Sequence, residues 1–326
     1  MKYKFTFLFL FGILCLSKNA LAQQPAQYSL FMLNKYNYNT AYAGLDKSLS
    51  MTGVVRKQWV SFPGSPLTFQ FNAHTPIPRI NSGIGLGMEY DAIGAERMLR
   101  TRLSYNYMIN LGKGVLSLGV AGNFLQRSLD GSILRTPDGD YGSGNNHNDP
   151  ILGNNTARGN TFTGEVGVYY KHPKFEIGVS AINLQEPVAK LSTNTLIQEI
   201  KYKRNLFFQA QYHWDVNAQW RISPMLLAKS DIIRTQVDLA ATVWYDQRFL
   251  GGVGYRGFTA NSQDAVFLYI GMQVSKNFLL AYNYDISLNA LRTFNSGSHE
   301  IVLNYNLNKE MGREIPQKIL YNPRFL

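Results

Sequence analysis

Cysteine is all but missing from this chain. Cys15 is the only one in 326 residues, and it lies in an apolar run, Phe5 to Leu16, that follows Lys2 and Lys4. Ala20-Leu21-Ala22 then supplies the small residues of a processing site, so residues 1–22 read as a secretory leader cleaved after Ala22. Ile13-Leu14 is a poor approach to a lipidation site, so Cys15 is read as leader and not as an acylated residue. The mature chain then has no cysteine, which excludes disulfides, thiol nucleophiles and cysteine-based metal sites. Long hydrophobic runs are missing too: the leader is too short to span a bilayer, and no other stretch could span one as a helix. Charge is sparse, at 16% of residues against about 25% in an average globular domain. The formal charge of +11 includes Lys2, Lys4 and Lys18 of the leader, so +8 remains on the mature chain. An exported basic protein rarely meets nucleic acid; outer-membrane phosphates or an acidic protein partner fit better.

Aromatic residues, by contrast, are plentiful, with 20 Tyr and 19 Phe, and apolar residues recur at every second position. Leu67, Phe69, Phe71 and Ala73 occupy one side of a strand, while Thr68, Gln70, Asn72 and His74 occupy the other. Gly83, Gly85 and Gly87 alternate with Ile84, Leu86 and Met88. A dinucleotide fingerprint would need its third glycine at position 88 and a helix beyond it; the alternation instead makes this a strand whose glycines let another segment approach closely. Leu99 to Ile109, Leu116 to Phe124, Leu206 to Trp214, Val237 to Tyr245, Val266 to Val274, Phe278 to Tyr284 and Ile301 to Leu307 repeat the period of two. Weaker runs near 49–59, 162–170, 175–181, 220–228 and 249–256 bring the count to about fourteen strands, an even number as in outer-membrane barrels. Pro224 sits inside one of them and predicts a bulge or a misplaced strand.

The connections sort by length. Asn110-Leu111-Gly112-Lys113-Gly114, Lys171 to Lys174, Asp246-Gln247 and Ser275-Lys276-Asn277 read as tight turns. Between them lie longer links at 91–97, 128–160, 182–203, 257–264 and 286–297. Short periplasmic turns with longer extracellular loops define a transmembrane antiparallel β-barrel. A Lys or Arg facing lipid at mid-depth costs about 2–4 kcal/mol, and the apolar faces of the clear strands carry none. Lys57 can snorkel beside Trp59, and Trp59, Tyr90, Trp214, Trp220 and Tyr245 suit aromatic girdles.

Chemistry is harder to find. None of the five histidines belongs to a metal-binding helix motif, and no phosphate loop or cofactor motif stands out. His74 and His213 have interior parity, His172 lies in a turn and His147 in a polar loop. Ser298-His299-Glu300 invites a hydrolase reading, but neighbours on a strand point to opposite faces, so His299 and Glu300 cannot converge on one substrate. Arg100, Arg102, Glu89 and Asp238 read as paired polar filling of the interior.

Two stretches carry a resemblance. Tyr28-Ser29-Leu30-Phe31-Met32-Leu33-Asn34 leads to Asn39-Thr40-Ala41-Tyr42-Ala43-Gly44 and then Arg56-Lys57-Gln58-Trp59. Tyr284-Asp285-Ile286-Ser287-Leu288 leads to Phe294-Asn295-Ser296-Gly297-Ser298-His299-Glu300-Ile301. Together they resemble the PorP/SprF family of Bacteroidetes outer-membrane proteins, although Leu30 and Thr40 stand where that family usually has Gln and Pro. The resemblance covers nearly all of the mature chain and implies a barrel without enzymatic activity that serves type IX secretion and gliding motility. The partners it implies are type IX components, an exported surface protein such as an adhesin with a type B C-terminal sorting domain, and a periplasmic peptidoglycan-binding protein. It marks Asn34, Asn39, Tyr42, Gly44, Trp59, Asn295, Gly297, His299 and Glu300 as structural or partner-binding positions. The expected layout is a leader at 1–22, an N-terminal segment at 23–47 packing under or into the barrel, the barrel at 48–308 and a basic periplasmic tail at 309–326. A passive porin or small-molecule transporter is the competing reading, because interior glycines allow either an open pore or a docked segment.

Overall fold

The computed structural model describes residues 25–142, 144–148, 154–192, 197–257 and 263–311; the leader, its cleavage site and most of the basic tail lie outside them. Fourteen antiparallel strands close into a barrel. They are β1 (Ser50–Lys57), β2 (Leu67–Ile77), β3 (Ser82–Ile93), β4 (Glu96–Leu111), β5 (Gly114–Asp130), β6 (Thr156–Lys171) and β7 (Phe175–Ile182), then β8 (Asn205–Tyr212), β9 (Trp220–Ser230), β10 (Thr235–Tyr245), β11 (Phe249–Arg256), β12 (Ala265–Gln273), β13 (Phe278–Ser287) and β14 (Ser298–Asn306). Each pairs with its sequence neighbour, and β1 pairs with β14 from Ser50↔Asn306 to Lys57↔His299, which closes the ring. In hydrocarbon an unpaired backbone amide costs several kcal/mol, so a ring without edges is the strand solution to crossing a membrane.

The expected alternation is visible as burial. Along β2, Phe69 and Phe71 are exposed on the outside, while Thr68, Gln70, Asn72 and His74 are buried inside. Trp220 and Tyr245 pack outward at the short-turn end, ring centroids 4.6 Å apart. At the opposite end Lys57 Nζ donates to the Ser65 carbonyl at 2.9 Å.

Several boundaries differ from the sequence reading. The link at 91–97 is no loop: β3 runs to Ile93 and β4 begins at Glu96, because pairing continues past the apolar belt through Asp91↔Met98 and Ile93↔Glu96. Pairing of β5 with β6 likewise extends to Asp130↔Thr156, which shortens the 128–160 loop. The 182–203 link holds a hairpin, Val188–Ser192 with Ile197–Lys201. Ala189, Leu191, Ile200 and Tyr202 pack there with Leu125 and Ala157 of the barrel wall. Pro224 neither bulges nor displaces its strand. The same register with β8 holds on both sides of it, at Gln211↔Met225 and Trp214↔Ile222. The ladder simply lapses opposite the missing N–H, and the His213 amide turns to the Lys174 carbonyl at 2.7 Å.

Residues 25–47 occupy the interior. They run as three single turns of 3-10 helix, Phe31–Leu33, Lys35–Asn37 and Thr40–Tyr42. Glycines make the room: a Cβ on Gly83 would overlap the Ala43 carbonyl, one on Gly85 the Tyr36 hydroxyl, and one on Gly119 would stand 2.6 Å from Ala41 Cα. On the β8–β14 side the segment meets a dry core, in which Leu30, Phe31 and Tyr38 pack with Phe207, Leu227, Phe267 and Leu279.

Forcing a methyl into this contact has a measurable cost. Gly119→Ala is expected to destabilise the folded barrel by about 1–3 kcal/mol, read as a lower midpoint of heat-modifiable gel mobility. Gly122→Ala, whose added carbon meets nothing within 4 Å, should leave that midpoint unchanged.

Candidate functional site

The internal segment descends from the long-loop end of the barrel to the short-turn end. At the top it is held by a cluster of buried charges. Arg56 reaches Asp285 at 2.6 Å and Glu300 at 2.9 Å, and Arg256 reaches Asp285 at 3.2 Å. Ser29 sits in the middle: its hydroxyl donates to Asp285 at 2.7 Å and accepts from Arg256 at 2.8 Å. The backbone N–H groups of Ser29 and Leu30 donate to the two oxygens of Glu300 at 2.8 and 2.9 Å. Arg56, Arg256, Asp285 and Glu300 are each about 1% exposed, so every charge needs a partner close by, and Arg256 also reaches Asp238 at 3.4 Å. The Tyr28 hydroxyl donates to Glu89 at 2.7 Å, beside it.

Asparagines fix the middle. Asn34 donates to Gln70 at 2.6 Å and accepts from Asn72 at 2.9 Å. Asn39 caps the Thr40–Tyr42 turn by accepting the Ala41 N–H at 2.9 Å, and its amide donates to the carbonyls of Val168 and Val179. Thr40 therefore starts the same kind of turn that a proline would. Arg102 lies over the Tyr36 ring, 4.3 Å from its centroid, donates to the carbonyls of Tyr36 and Asn37 and pairs with Glu165 at 3.4 Å.

At the bottom, Lys35 pairs with Glu176 at 2.8 Å and Lys171 with Asp46 at 3.1 Å. The Tyr42 hydroxyl donates to Asp46 at 2.7 Å, and the Gly44 N–H to His74 Nδ1 at 3.1 Å. Burial works to raise the pKa of the Asp46 carboxyl, but the Lys171 ammonium and His74 outweigh it and hold the group below the usual carboxylate range. The stability from that pairing is therefore complete above the ordinary carboxylate pKa and fades as pH falls toward the lowered one.

Of the positions marked from sequence, Asn34, Asn39, Tyr42, Gly44 and Glu300 all lie where the internal segment meets the wall. Trp59, Asn295 and Gly297 belong to two loops knitted together at the top. Val60 and Gly297 are joined N–H to carbonyl at 2.8 Å, and the Trp59 N–H reaches the Ser298 hydroxyl at 3.1 Å. Gly297 has φ +85, and a side chain there would stand 2.6 Å from the Asp285 carbonyl. His299 faces outward, 2.6 Å from the Tyr282 hydroxyl, while Glu300 faces in. Ser29, Arg56, Arg256 and Asp285 were not singled out from sequence. The signal for Arg56, Arg256 and Asp285 was inward parity on strands that lipid bounds, where a lone charge is costly; Ser29, uncharged and off the strands, had none.

The structure assembles one constellation that the sequence reading could not. His213 Nδ1 lies 3.1 Å from the Ser223 hydroxyl and Nε2 lies 3.2 Å from Glu176. The sequence signal was the register that places His213 opposite Ser223. Ser223 is 1% exposed, and the cavity of about 490 Å³ that touches His213 and Glu176 at the short-turn mouth does not include it among its lining residues. Glu176 is also committed to Lys35 and to the Tyr169 hydroxyl at 2.7 Å. The trio thus reads as a hydrogen-bonded brace. Among the described residues no His, Cys, Asp or Glu cluster suits a metal ion. A concavity of about 670 Å³ lined by Ala210, Pro224, Leu226 and Ala241 lies on the lipid side of the wall.

A closed ring with an apolar outer face and a filled, charge-paired interior defines a plugged outer-membrane β-barrel. The family model for the type IX secretion system membrane protein PorP/SprF matches residues 20–305, and the chain belongs to that family. Solved structures with similar shape include the Ralstonia pickettii toluene transporter TbuX, at 11% identity and TM-score 0.49, over 86% of this chain and 93% of that one. The CymD monoaromatic hydrocarbon channel follows at 12% identity and TM-score 0.46, over 87% and 94%. The Acinetobacter baumannii outer membrane protein Omp33 stands at 6% and 0.44, over 79% and 97%. At these identities and scores they carry no argument about substrate or mechanism. No curated protein matches the chain.

Two substitutions separate the knot from the outer face. Glu300→Gln removes a buried charge facing Arg56 and two backbone donors, and should cost about 3–5 kcal/mol. His299→Ala, on the lipid side of the same strand, should cost under about 1 kcal/mol. Denaturant midpoints of the refolded barrel, measured side by side, check both.

Proposed function

We propose that this protein is a non-conducting, non-enzymatic barrel of the type IX secretion machinery that helps export or hold an exported surface protein, such as an adhesin, at the outer membrane. The observation that carries the reading is the filled lumen. Residues 25–47 are hydrogen-bonded to wall residues such as Glu89, Gln70, Ser104, Glu176 and Glu300, which weighs against a passive porin. Family membership supplies the link to type IX components. The exported partner with a type B sorting domain, the periplasmic peptidoglycan-binding partner and a role in gliding come from the family resemblance.

The short-turn end is the periplasmic one by the usual barrel rule, and it suits a partner surface. Arg79, Lys113, Lys174 and Lys276 lie in or beside its turns, and the tail at 309–326 adds Arg313, Lys318 and Arg324. We assign that tail to periplasmic contact, residues 1–22 to a cleaved leader, and the loop positions Trp59, Asn295 and Gly297 to the surface that meets cargo.

Affinity purification of the tagged protein from native outer membranes, with mass spectrometry of what co-elutes, tests the reading. Recovery of a large exported protein with a C-terminal sorting domain, or of periplasmic type IX components, is expected. The purified barrel should show little conductance in planar bilayers. A wild-type barrel that comes out alone and conducts ions would favour the porin.

A further inference from the structure

The direction of the internal segment decides on which side of the membrane the mature chain starts. Pro25 lines the top of the lumen with Asp91, Glu96, Arg127 and Tyr202. Glu96 opens β4 and Asp91 lies near the end of β3, both at the long-loop end of the barrel. Gln27 contacts Gln236 at 3.3 Å near the start of β10, and Ser29 lies in the charge knot at the tops of β1, β11, β13 and β14. The segment reaches the opposite mouth only at Asp46, which holds Lys171 and the Ser50 hydroxyl, the latter at 2.9 Å. The chain therefore passes down the whole lumen before β1 climbs back beside it.

We propose that the mature amino terminus of this protein stands on the cell-surface side of the outer membrane. The inference rests on the outer-membrane orientation and on reading residues 1–22 as a leader. Two residues, Gln23 and Gln24, lie between Ala22 and Pro25, and the three steps along the chain span at most about 11 Å. The hydrocarbon core of a bilayer is about 30 Å thick. A terminus two residues before Pro25 therefore cannot return across the membrane from the long-loop mouth.

The chain's cysteine content makes the test clean, since Cys15 is the only thiol and leaves with the leader. Gln24→Cys, Asn154→Cys in the longest loop and Lys276→Cys in a short turn would each be treated on intact cells with a membrane-impermeant maleimide. Gln24→Cys is expected to react to at least about half the extent of Asn154→Cys, and Lys276→Cys only after the outer membrane is permeabilised. Reaction of Gln24→Cys that needs permeabilisation or unfolding overturns the proposal. N-terminal sequencing of the purified protein tests the leader reading separately.

Discussion

Everything in this structure follows from the pairing of β1 with β14. Hydrocarbon offers a strand edge no water, so the first and last strands must find each other across the whole sequence. They do so over eight residue pairs. Once they meet, the wall is a continuous ladder with one fixed division of faces, and period two assigns each side chain to lipid or to lumen. The outer assignment is met cheaply, by aliphatic and aromatic residues. The inner one creates the harder physical problem, because a ring of fourteen strands encloses more volume than its own inward side chains fill.

Here the chain fills that volume with itself, and the two halves of the wall meet it by different means. From β8 to β14 the inward residues include an apolar cluster, in which Phe31 packs edge-on against Phe267, ring centroids 6.4 Å apart, as in a soluble core, beside polar Gln209, Asp238 and Asn283. From β2 to β7 they are polar, and asparagines, glutamines and paired charges satisfy the backbone of the three short helical turns. Glycines at 83, 85, 119 and 167 bring the two backbones close enough for such bonds. The buried Arg56–Arg256–Asp285–Glu300 knot is expensive to desolvate and only its completeness makes it tolerable. Ser29 and Leu30 complete it, since they supply donors that no wall strand provides.

How much of this was legible depended on which period carried the signal. The strands, their number and the outer face could be read from alternation alone, as along Leu67 to His74. The close approach at Gly83 and Gly85 was legible because glycines alternating on one inward face have few other uses, whereas at Gly87 the space is taken by Asn72 and Arg102 of the wall. The loops were less legible. Pairing beyond the membrane, as at Asp91↔Met98, leaves no apolar alternation to follow, and the hairpin inside 182–203 is short and mixed in character. Pro224 misled because a single missing donor interrupts a ladder without bending it. The charge knot stayed hidden for a different reason. Its members come from residues 29, 56, 256, 285 and 300, and only a barrel closed around the internal segment brings them together. The Ser223–His213–Glu176 brace shows the converse: a suggestive set of side chains whose serine the surrounding wall seals off.

A filled lumen also limits where partners can act. The internal segment is covalently continuous with β1, pinned at the top by charge and at the bottom by Lys35–Glu176 and Lys171–Asp46. Withdrawing it would expose Arg56 and Arg256 without Ser29, and would leave Glu300 facing two lost amide donors in a low-dielectric space. That penalty falls on the wall as well as on the segment, so the barrel and its filling form one folding unit and not a pore with a removable stopper. Partners are therefore left the two mouths and the lipid-facing belt. The mouths differ in chemistry: basic short turns below, and above them two knitted loops whose Trp59, Ser61 and Gly297 hold left-handed backbone conformations. The strain is retained there because Val60 and Gly297 lock the loops to each other, which makes the upper mouth a shaped surface and not a fringe of independent loops. The proposed holding of an exported protein falls most naturally on that surface, above a lumen that has no room to pass it.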